Sequence, residues 1–555
     1  MRMFRSRSGL GFGLFIVLLI LSISSCMQQQ QGAVVKRPRI VIGLVIDQMR
    51  WDYLYRFYSL YGDGGFKRLM GEGFKCENTM VNYLPANTAP GHSCIYTGSV
   101  PSIHGIAGNN WIDAKTGNNM YCVDDPTVSL VGDDTKAPSM SPSTLLATTV
   151  TDELRLATNQ RSRVYGVAIK DRGAILPGGH LANAAYWYND KTGNFTTSTY
   201  YANRNPAWLQ AFNKRKAGDS MVKQNWKLLY DAKVYQDQST VDANQYEKGF
   251  KYEKSPDFPH VLDTMADSDR YALLKAIPAG NTFSIMMAKA CLEGEQLGMK
   301  GETDFLALSL SSTDYVGHQF APNSMEIEDT YLRLDRDIAD FLKYLDARYG
   351  HDGYLLFMTA DHGGAHNATF LQDQDVPAGV FYVNTTADLN ADLKAKFGKD
   401  SLVNGILNYQ VFFNNSLIEN GKMDRAAIKN EVISFMSKRP EVSYIMDMED
   451  IDKTAVPAQI KSMAINGYER QRCGAIQLVL NPGWYDNGGR TTGMTHGSWN
   501  PYDTHIPLIF FGWGINHGET HRQLNMTDIA PTVAALLHIQ MPSGCIGVPI
   551  IEVIR

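Results

Sequence analysis

Three apolar runs of strand length constrain the fold of this chain most strongly. They occupy residues 40–46, 305–310 and 354–360, and an amphipathic stretch at 324–349 repeats its apolar residues at three- and four-residue spacing between the second and the third run. A strand, a helix and a strand in succession are typical of a βαβ unit, whose strands lie parallel in one sheet. The sequence therefore predicts an α/β fold with a doubly wound, mainly parallel sheet.

Two regions interrupt this alternation of strands and helices. The first region, at about 181–257, is rich in Tyr, Trp, Asn and Lys and lacks long buried strands. The second region, at about 387–481, has a mixed pattern with a helical middle. We interpret both regions as caps inserted into a single domain that spans residues 39–550. Near the end of that domain, residues 527–538 are predicted to form a helix capped by Thr527.

The charge of the chain excludes one class of function. Its 555 residues carry a net charge of −5, and only one short basic cluster, at residues 36–39, follows the N-terminal segment. Proteins that bind nucleic acids normally carry a larger basic patch. The sequence therefore excludes nucleic acid as a dedicated partner.

The N-terminal segment has the organisation of a bacterial export signal. Several arginines precede an apolar stretch at residues 10–23, which is too short to span a bilayer comfortably, and Ser24, Ser25 and Cys26 follow it. Residues 1–26 are therefore predicted to be a lipoprotein signal with Cys26 as the lipidated first residue of the mature protein. An ordinary signal peptide is the alternative, and both interpretations predict export to the periplasm.

The other cysteines are interpreted as structural. They are Cys76, Cys94, Cys122, Cys291, Cys473 and Cys545. An even number of cysteines in an exported protein permits up to about three disulfide bonds. None of these cysteines forms a Cys-x-x-Cys pair, so a thiolate metal site is not expected.

Aspartate and histidine residues follow the predicted strands. Asp47 comes directly after the first apolar run, and Asp361 and His362 come directly after the third. Asp314 and His318 follow the second run, and their four-residue spacing would direct both side chains at one ion from a single helical turn. Taken singly, such residues are more often capping or hydrogen-bonding groups. Together they supply carboxylate and imidazole without thiolate, which is typical of a zinc site.

Two further residues complete this candidate metal site. His496 lies in a glycine-containing loop, and Thr88 lies in the segment 87–92, where Pro90 fits the first turn of a helix. A threonine at a helix N-terminus is most often a capping residue. Beside metal ligands, however, its hydroxyl can be deprotonated and can attack an electrophile. The candidate metal ligands are therefore Asp47, Thr88, Asp314, His318, Asp361, His362 and His496.

Lys170 and Arg172 are candidates for binding an anion. They follow the apolar run at 164–169 on a segment predicted to be extended, so that both side chains point to the same side. The alternative is a solvated, charged loop. A basic pair at the end of a buried strand favours the first interpretation.

These segments make the chain resemble the alkaline phosphatase superfamily, in particular the periplasmic, phosphate-irrepressible alkaline phosphatases that use a threonine nucleophile. The resemblance covers residues 40 to about 538. The matching segments, in the order of the family, are 45–47, 87–92, 101–105, 108–110, 170–172, 312–318, 359–363 and 495–497. The resemblance implies an alkaline phosphatase-like fold that carries the two inserted caps.

The resemblance also implies a role for each candidate residue. One zinc ion would be held by Asp47, Asp361 and His362 with Thr88, and a second by Asp314, His318 and His496. Asn109, rather than Asn110, would hydrogen-bond a phosphoryl oxygen, and Lys170 and Arg172 would clamp the phosphoryl group. Small phosphate monoesters with varied leaving groups would be hydrolysed through a phosphothreonine. No magnesium ion is predicted, because Lys170 takes the place of that ion.

Three alternatives remain at this point. A phosphodiesterase or nucleotide pyrophosphatase of the same superfamily shares the metal ligands but has less need of Lys170 and Arg172. A sulfatase requires a convertible Cys or Ser before an arginine, and the segment 99–103 has Ile103 where that arginine belongs. A surface lipoprotein that binds glycans or phosphate without turnover would use the aromatic residues of the first cap.

Overall fold

The largest sheet of the protein has nine strands and supports the candidate site. This computed structural model describes residues 36–132, 138–263 and 267–554. Numbered in chain order, the strands of this sheet are β1 (Ile40–Ile46), β2 (Phe74–Cys76), β3 (Val164–Ala168), β4 (Ala184–Asn189), β5 (Asn194–Thr196), β6 (Asp304–Leu310), β7 (Tyr354–Thr359), β8 (Leu508–Gly512) and β9 (Gly518–Thr520). Their order across the sheet is β5-β4-β3-β6-β1-β7-β8-β2-β9.

The centre of the sheet is parallel. Strand β1 lies between β6 and β7, with Val45 opposite Ser309 on one side and Thr359 on the other. Strands β3, β4 and β6 continue the parallel arrangement, whereas β8 runs antiparallel to β7 and β2, and β5 antiparallel to β4. The predicted mainly parallel α/β sheet is confirmed. Because parallel strands end at one edge, the residues that follow β1, β6 and β7 emerge together.

Helices flank these strands as the sequence predicted. Every residue of β1, β6 and β7 is buried, as expected for strands of a sheet covered on both faces. Four helices matter for the site, namely α1 (Thr88–Thr97), α2 (Asp171–Gly178), α3 (Ser312–Phe320) and α4 (Met325–Tyr349). The predicted helix at 324–349 is confirmed as α4, which Ser324 caps by accepting a hydrogen bond from the N–H of Ile327.

The remaining elements are shorter or lie outside the main sheet. The other helices are Tyr53–Arg56, Phe66–Glu72, Pro101–His104, Val150–Ala157, Ala207–Lys214, Ala217–Met221, Asp267–Leu273, Ala279–Gly294, Ala368–Gln372, Thr385–Phe397, Asn415–Asn420, Arg425–Met436, Ala458–Gly467, Pro501–Thr504, Ile529–Leu536 and Ile551–Ile554. Short strands occur at Thr79–Met80, Asn110–Ile112, Asn119–Tyr121, Asp124–Ser129, Pro138–Met140, Gly379–Val380, Trp484–Tyr485, His505–Ile506 and Leu524–Asn525.

The first predicted cap, at about 181–257, begins inside the main sheet. Its residues Ala184–Asn189 form β4, which pairs in parallel with β3, and β5 follows it at the edge. The aromatic side chains of β4 are buried. The prediction that this region lacks long buried strands missed the six-residue strand β4, because an aromatic strand buried on both faces shows neither alternation nor an aliphatic run.

The second predicted cap, at about 387–481, contains a small sheet with its own hydrophobic core. The strands Val403–Leu407, Gln410–Phe413, Ile476–Leu480 and Val442–Asp447 lie side by side in that order. Side chains of the helices Thr385–Phe397 and Arg425–Met436, among them Leu389, Val432 and Met436, share one buried cluster with residues of this sheet. Burial of this apolar area away from the main sheet stabilises the second cap as a separate layer.

One smaller prediction was wrong in part, and the disulfide bonds that the sequence permits do not form in this structure. The helix predicted at 527–538 begins at Ile529, and the preceding turn is capped by Asn525 and Asp528 instead of Thr527. The six cysteines after Cys26 are all free thiols and form no disulfide bond.

The predicted signal at residues 1–26, including Cys26, lies outside the described residues. In the part of the chain that the structure describes, no helix has the length and the hydrophobicity needed to cross a membrane.

Candidate active site

Thr88 is the first residue of α1, which confirms its predicted place at a helix N-terminus. Asn87 caps the helix in an extended conformation, and Pro90 lies in the first turn, where its missing N–H has no partner to lose. The Thr88 hydroxyl oxygen is buried, 3.4 Å from Nε2 of His362 and 3.3 Å from Nζ of Lys170. The free N–H groups of the first helical turn make this position favourable for an anion.

Asp47, Asp361 and His362 form the first group of metal-type ligands. One donor atom from each lies within 4.8 Å of the others, and all three residues are fully buried. Nε2 of His362 is 3.7 Å from Oδ1 of Asp47 and 3.6 Å from Oδ2 of Asp361. The ends of the adjacent strands β1 and β7 bring these residues together.

Asp314, His318 and His496 form the second group, and their donor atoms also lie within 4.8 Å of one another. Asp314 and His318 are one turn apart on α3, and Nε2 of His318 is 3.2 Å from Oδ1 of Asp314. Nε2 of His496 lies 3.7 Å from the same oxygen. The rings of His496 and His362 stack with their centroids 3.6 Å apart, so the two groups are neighbours.

The imidazole rings are oriented as metal ligands are. Each Nδ1 lies close to a backbone carbonyl oxygen. Nδ1 of His318 is 2.8 Å from the carbonyl oxygen of Met494, Nδ1 of His362 is 2.9 Å from that of Gly363, and Nδ1 of His496 is 2.8 Å from that of Ala86. A carbonyl oxygen only accepts, so each Nδ1 carries the hydrogen and each Nε2 keeps its lone pair. Burial lowers the pKa of His362 and of His496, which keeps both rings neutral.

The charges of the site call for cations. Oδ1 of Asp47 is buried and has no hydrogen-bond partner among the described residues, whereas Oδ2 of Asp47 faces Nζ of Lys170 at 2.7 Å and Oδ2 of Asp361 faces Nδ1 of His92 at 3.2 Å. Burial and the nearby carboxylate of Asp361 raise the pKa of Asp47. Lone pairs of nitrogen and oxygen therefore face one another in both groups, and the ammonium group of Lys170 offsets only part of the negative charge of the three carboxylates. Imidazole and carboxylate donors fit zinc in both groups, and the Thr88 hydroxyl lies beside the first group.

Lys170 joins the two groups. Its Nζ lies 2.7 Å from Oδ2 of Asp47 and 2.6 Å from Oδ2 of Asp314. Burial alone would lower the pKa of Lys170, but these two carboxylates outweigh burial and raise it. The ammonium group is thus held between the metal groups, beside Thr88.

The prediction that Lys170 and Arg172 lie on an extended segment was wrong. Lys170 caps α2 and Arg172 lies in its first turn. Both residues nevertheless line one cavity of about 370 Å³, together with Tyr121, Trp187 and Tyr315 among others. The guanidinium of Arg172 donates a hydrogen bond of 3.1 Å to the Tyr121 hydroxyl, and its buried Nε has no partner among the described residues.

Asn109 lies at the N-terminus of α1, beside Thr88. Its Oδ1 accepts a hydrogen bond of 2.9 Å from the N–H of Ala89. Asn110, in contrast, belongs to the strand Asn110–Ile112, and its carbonyl oxygen accepts from Asn408. Of the two asparagines, Asn109 is the one that this contact ties to the end of α1.

Sequence reasoning missed two residues that contact the ligands. His92 is fully buried, with Nδ1 2.9 Å from the carbonyl oxygen of Thr88 and 3.2 Å from Oδ2 of Asp361. Gln48 contacts one carboxylate of each group, Asp361 and Asp314. A histidine four residues after Thr88 was visible in the sequence as a neighbour on the same helix face, whereas an uncharged glutamine gave no signal.

Comparisons with known proteins agree with this arrangement. The model of the family described as type I phosphodiesterase / nucleotide pyrophosphatase matches residues 41–503. A calcium-transporting ATPase of Myroides odoratus is 52% identical over 94% of this chain and 95% of its own. The alkaline phosphatase PhoV of Synechococcus elongatus is 49% identical over 98% of this chain and 99% of its own. The alkaline phosphatase PafA of Elizabethkingia meningoseptica is 46% identical over 97% and 98% of the two chains.

Solved structures resemble the whole fold. The crystal structure of wild-type alkaline phosphatase PafA superposes with a TM-score of 0.90 at 46% identity and covers 94% of this chain and 100% of that chain. A PafA mutant with one threonine, one asparagine, one lysine and one arginine replaced superposes with a TM-score of 0.91 at 45% identity over the same shares. The chain therefore belongs to the alkaline phosphatase superfamily, with alkaline phosphatases among its relatives.

Proposed function

We propose that the protein is a zinc-dependent alkaline phosphatase that hydrolyses phosphate monoesters through a phosphothreonine. One observation carries the proposal, namely a buried hydroxyl, that of Thr88, 3.3 Å from the ammonium group of Lys170 and beside the two groups of metal-type ligands. Two relatives that are 46% to 49% identical are named alkaline phosphatases, and this supports the proposed activity.

The reaction would use Thr88 as the nucleophile. The Thr88 hydroxyl gives its proton to solvent and its oxygen forms a bond to phosphorus. The bond from phosphorus to the leaving oxygen breaks at the same time, and the alcohol leaves with a proton taken from water. Water then attacks the phosphothreonine, releases phosphate and restores the hydroxyl. Zinc ions held by the two groups would supply positive charge to the reacting oxygens. Lys170 keeps its own positive charge beside the Thr88 oxygen throughout.

Charge favours monoesters as substrates. A monoester dianion carries two negative charges on its phosphoryl oxygens, and Lys170 and Arg172 offer two cations that line one cavity. The Asn109 amide offers a neutral donor. Charge-assisted hydrogen bonds from such groups stabilise the equatorial oxygens during phosphoryl transfer.

Phosphodiester hydrolysis is the second candidate. The description of the matching family model favours it, and the cavity of about 370 Å³ beside Arg172 has aromatic walls that suit a second organic substituent. A diester carries one charge fewer and therefore gains less from Arg172 than a monoester does.

A direct comparison tests the two candidates. We expect kcat/KM for 4-nitrophenyl phosphate to exceed that for its methyl diester by at least ~100-fold, in line with the loss of a charged interaction. Equal or reversed values would assign the protein as a diesterase. ATP, with and without calcium, belongs in the same series, because one relative is named a calcium-transporting ATPase.

Metal dependence has its own test. We expect a chelator to remove activity and about two zinc ions per chain to restore it without magnesium, because Nζ of Lys170 already lies between Asp47 and Asp314. A requirement for added magnesium would refute the proposed role of Lys170.

We also propose export to the periplasm with a lipid anchor at Cys26. Labelled palmitate should enter the native protein but not the Cys26→Ala variant. A labelled variant would place the lipid elsewhere, and an unlabelled native protein would favour an ordinary signal peptide.

A further inference from the structure

Gln48 occupies a strained position directly after the ligand Asp47. Its φ of 62° lies in the left-handed region, which side chains other than glycine adopt at a cost in free energy, and the residue is 1% exposed. A glutamine at such a position persists only when its side chain or its backbone makes contacts that offset the strain.

The side chain of Gln48 contacts the second ligand group. Its Nε2 donates a hydrogen bond of 2.9 Å to Oδ1 of Asp314. The same oxygen faces Nε2 of His318 at 3.2 Å and Nε2 of His496 at 3.7 Å, so it is the oxygen that would bind the metal. Oδ2 of Asp314 contacts Lys170. The amide of Gln48 therefore fixes the rotation of the Asp314 carboxylate.

The backbone of Gln48 contacts the first ligand group. Its N–H donates a hydrogen bond of 3.1 Å to Oδ1 of Asp361, which leaves Oδ2 of Asp361 facing His362. The left-handed conformation thus lets one residue contact a carboxylate of each group, one through the backbone and one through the side chain.

The helix α3 packs closely against the side chain of Gln48. A Cβ added at Gly317 would lie 2.1 Å from Oε1 of Gln48, so the helix α3 approaches Gln48 at a glycine. Oε1 of Gln48 is buried without a hydrogen-bond partner among the described residues. Among the described residues, the contact with Asp314 is therefore the one hydrogen bond that orients the Gln48 side chain.

We infer that Gln48 is a positioning residue that bridges the two metal groups. Its side chain orients the Asp314 carboxylate, and its backbone N–H orients the Asp361 carboxylate. This inference rests on the proposed zinc-dependent function. Hydrogen bonds to metal-binding carboxylates typically change metal affinity about 10- to 100-fold. Because the backbone N–H survives any substitution other than proline, loss of the side chain should weaken one site and spare the other.

The test is a zinc titration of the metal-free protein against a chromophoric chelator. In Gln48→Met, which keeps the volume but not the donor, we expect one site to weaken roughly 10- to 100-fold and the other to change by less than about threefold. Gln48→Gly serves as the second variant, because it relieves the left-handed strain and keeps the backbone N–H. Gln296→Met is the matched control, since Gln296 also has a positive φ, of 53°, but contributes to neither metal group.

A further variant, His496→Ala, identifies which of the two sites Gln48→Met weakens. His496→Ala removes a ligand of the second group, so adding Gln48→Met should leave the one remaining site unchanged. Equal weakening of both sites by Gln48→Met, or no weakening of either, would refute the inference. Native protein that binds fewer than two zinc ions would refute both the inference and the proposed function. Native protein that binds two zinc ions but hydrolyses no monoester would refute only the function.

Discussion

In the proposed reaction, turnover depends most on the side chain of Thr88. We expect Thr88→Ala to lower kcat on monoesters by ~10³-fold or more, because alanine supplies no oxygen that can form the bond to phosphorus. Thr88→Ser should retain measurable turnover, since it keeps an oxygen at the N-terminus of α1. The measurement is steady-state kinetics with matched zinc content. Thr88→Ala with native turnover would show that the hydroxyl is not the nucleophile.

Arg172 distinguishes the substrate classes. We expect Arg172→Ala to lower kcat/KM for a monoester roughly 10- to 100-fold, which corresponds to one lost charge-assisted interaction, and to change the methyl diester much less. Arg215→Ala is the control, because Arg215 is exposed outside the cavity. Equal losses on both substrates would contradict a monoesterase and would point to a role of Arg172 in folding.

The candidate metal ligands were predictable from the sequence, whereas the residues that hydrogen-bond to those ligands were not. Asp47 and Asp361 follow apolar runs, and that pattern alone places a carboxylate at the edge of a parallel sheet. The position of Lys170 between the two metal groups depends on side-chain distances that no spacing contains. Gln48 and His92 act through hydrogen bonds that form only after strands far apart in sequence have met.

The packing of α1 against the end of β7 sets the distance from Thr88 to the candidate metal ligands. Gly91 lies at this contact, and a Cβ added there would be 2.5 Å from the carbonyl oxygen and 2.7 Å from Cβ of Asp361. A close approach of two backbones is one situation that requires glycine. The helix can therefore bring Thr88 towards the ligands only while position 91 lacks a side chain.

Gly91→Ala should harm both stability and activity. We expect a loss of about 1–3 kcal/mol in unfolding free energy, typical of overpacking, and a marked loss of kcat. Gly71→Ala is the matched control, since a Cβ there meets nothing within 4 Å and alanine favours its helix. Urea denaturation and kinetics of both variants provide the measurement. Native behaviour of Gly91→Ala would show that α1 can move without consequence.

Helices and strands differed in how well the sequence predicted them. The helix α4 was correct nearly to the residue, because its length and its apolar period of three to four leave little ambiguity. The strand β4 was missed, because burial on both faces removes the alternation that identifies a strand. Lys170 and Arg172 were placed on an extended segment although α2 begins there, since a lysine cap carries none of the usual N-cap signals.

The packing of the segment 253–260 against α4 links stability to pH. His260 lies between Glu253 and Glu326, with its ring nitrogens 3.0 Å and 3.1 Å from their carboxylate oxygens. Burial alone would lower the pKa of His260, but these hydrogen bonds outweigh burial and raise it to about 9. Nearby, burial and the charge of Glu326 raise the pKa of Glu247 to about 10.

Stability should therefore fall as the pH rises. A raised histidine pKa contributes stability that is fully present below pH ~6.5, the unfolded value, and is lost as the pH rises towards about 9. The change is on the order of 3 kcal/mol for one group. Glu247 acts in the same direction, because the unfolded chain releases its proton at a lower pH. Urea denaturation between pH 6 and pH 9.5, roughly the interval of these shifts, measures the slope.

A double variant isolates the contribution of this pair. His260→Gln with Glu326→Gln removes both charges and should show a smaller decrease in unfolding free energy over the same pH range. The same slope in the native protein and in the double variant would assign the pH dependence to other groups.

The ammonium group of Lys170 has a consequence for where such a protein can work. A side-chain cation is covalently attached, so it is not lost by dilution and a chelator does not extract it. Of the positive charges that surround the reacting oxygen, this one is independent of the mineral content of the surrounding water. A medium poor in dissolved magnesium would therefore leave this charge in place. The protein would depend on dissolved zinc only for the two groups of aspartate and histidine ligands.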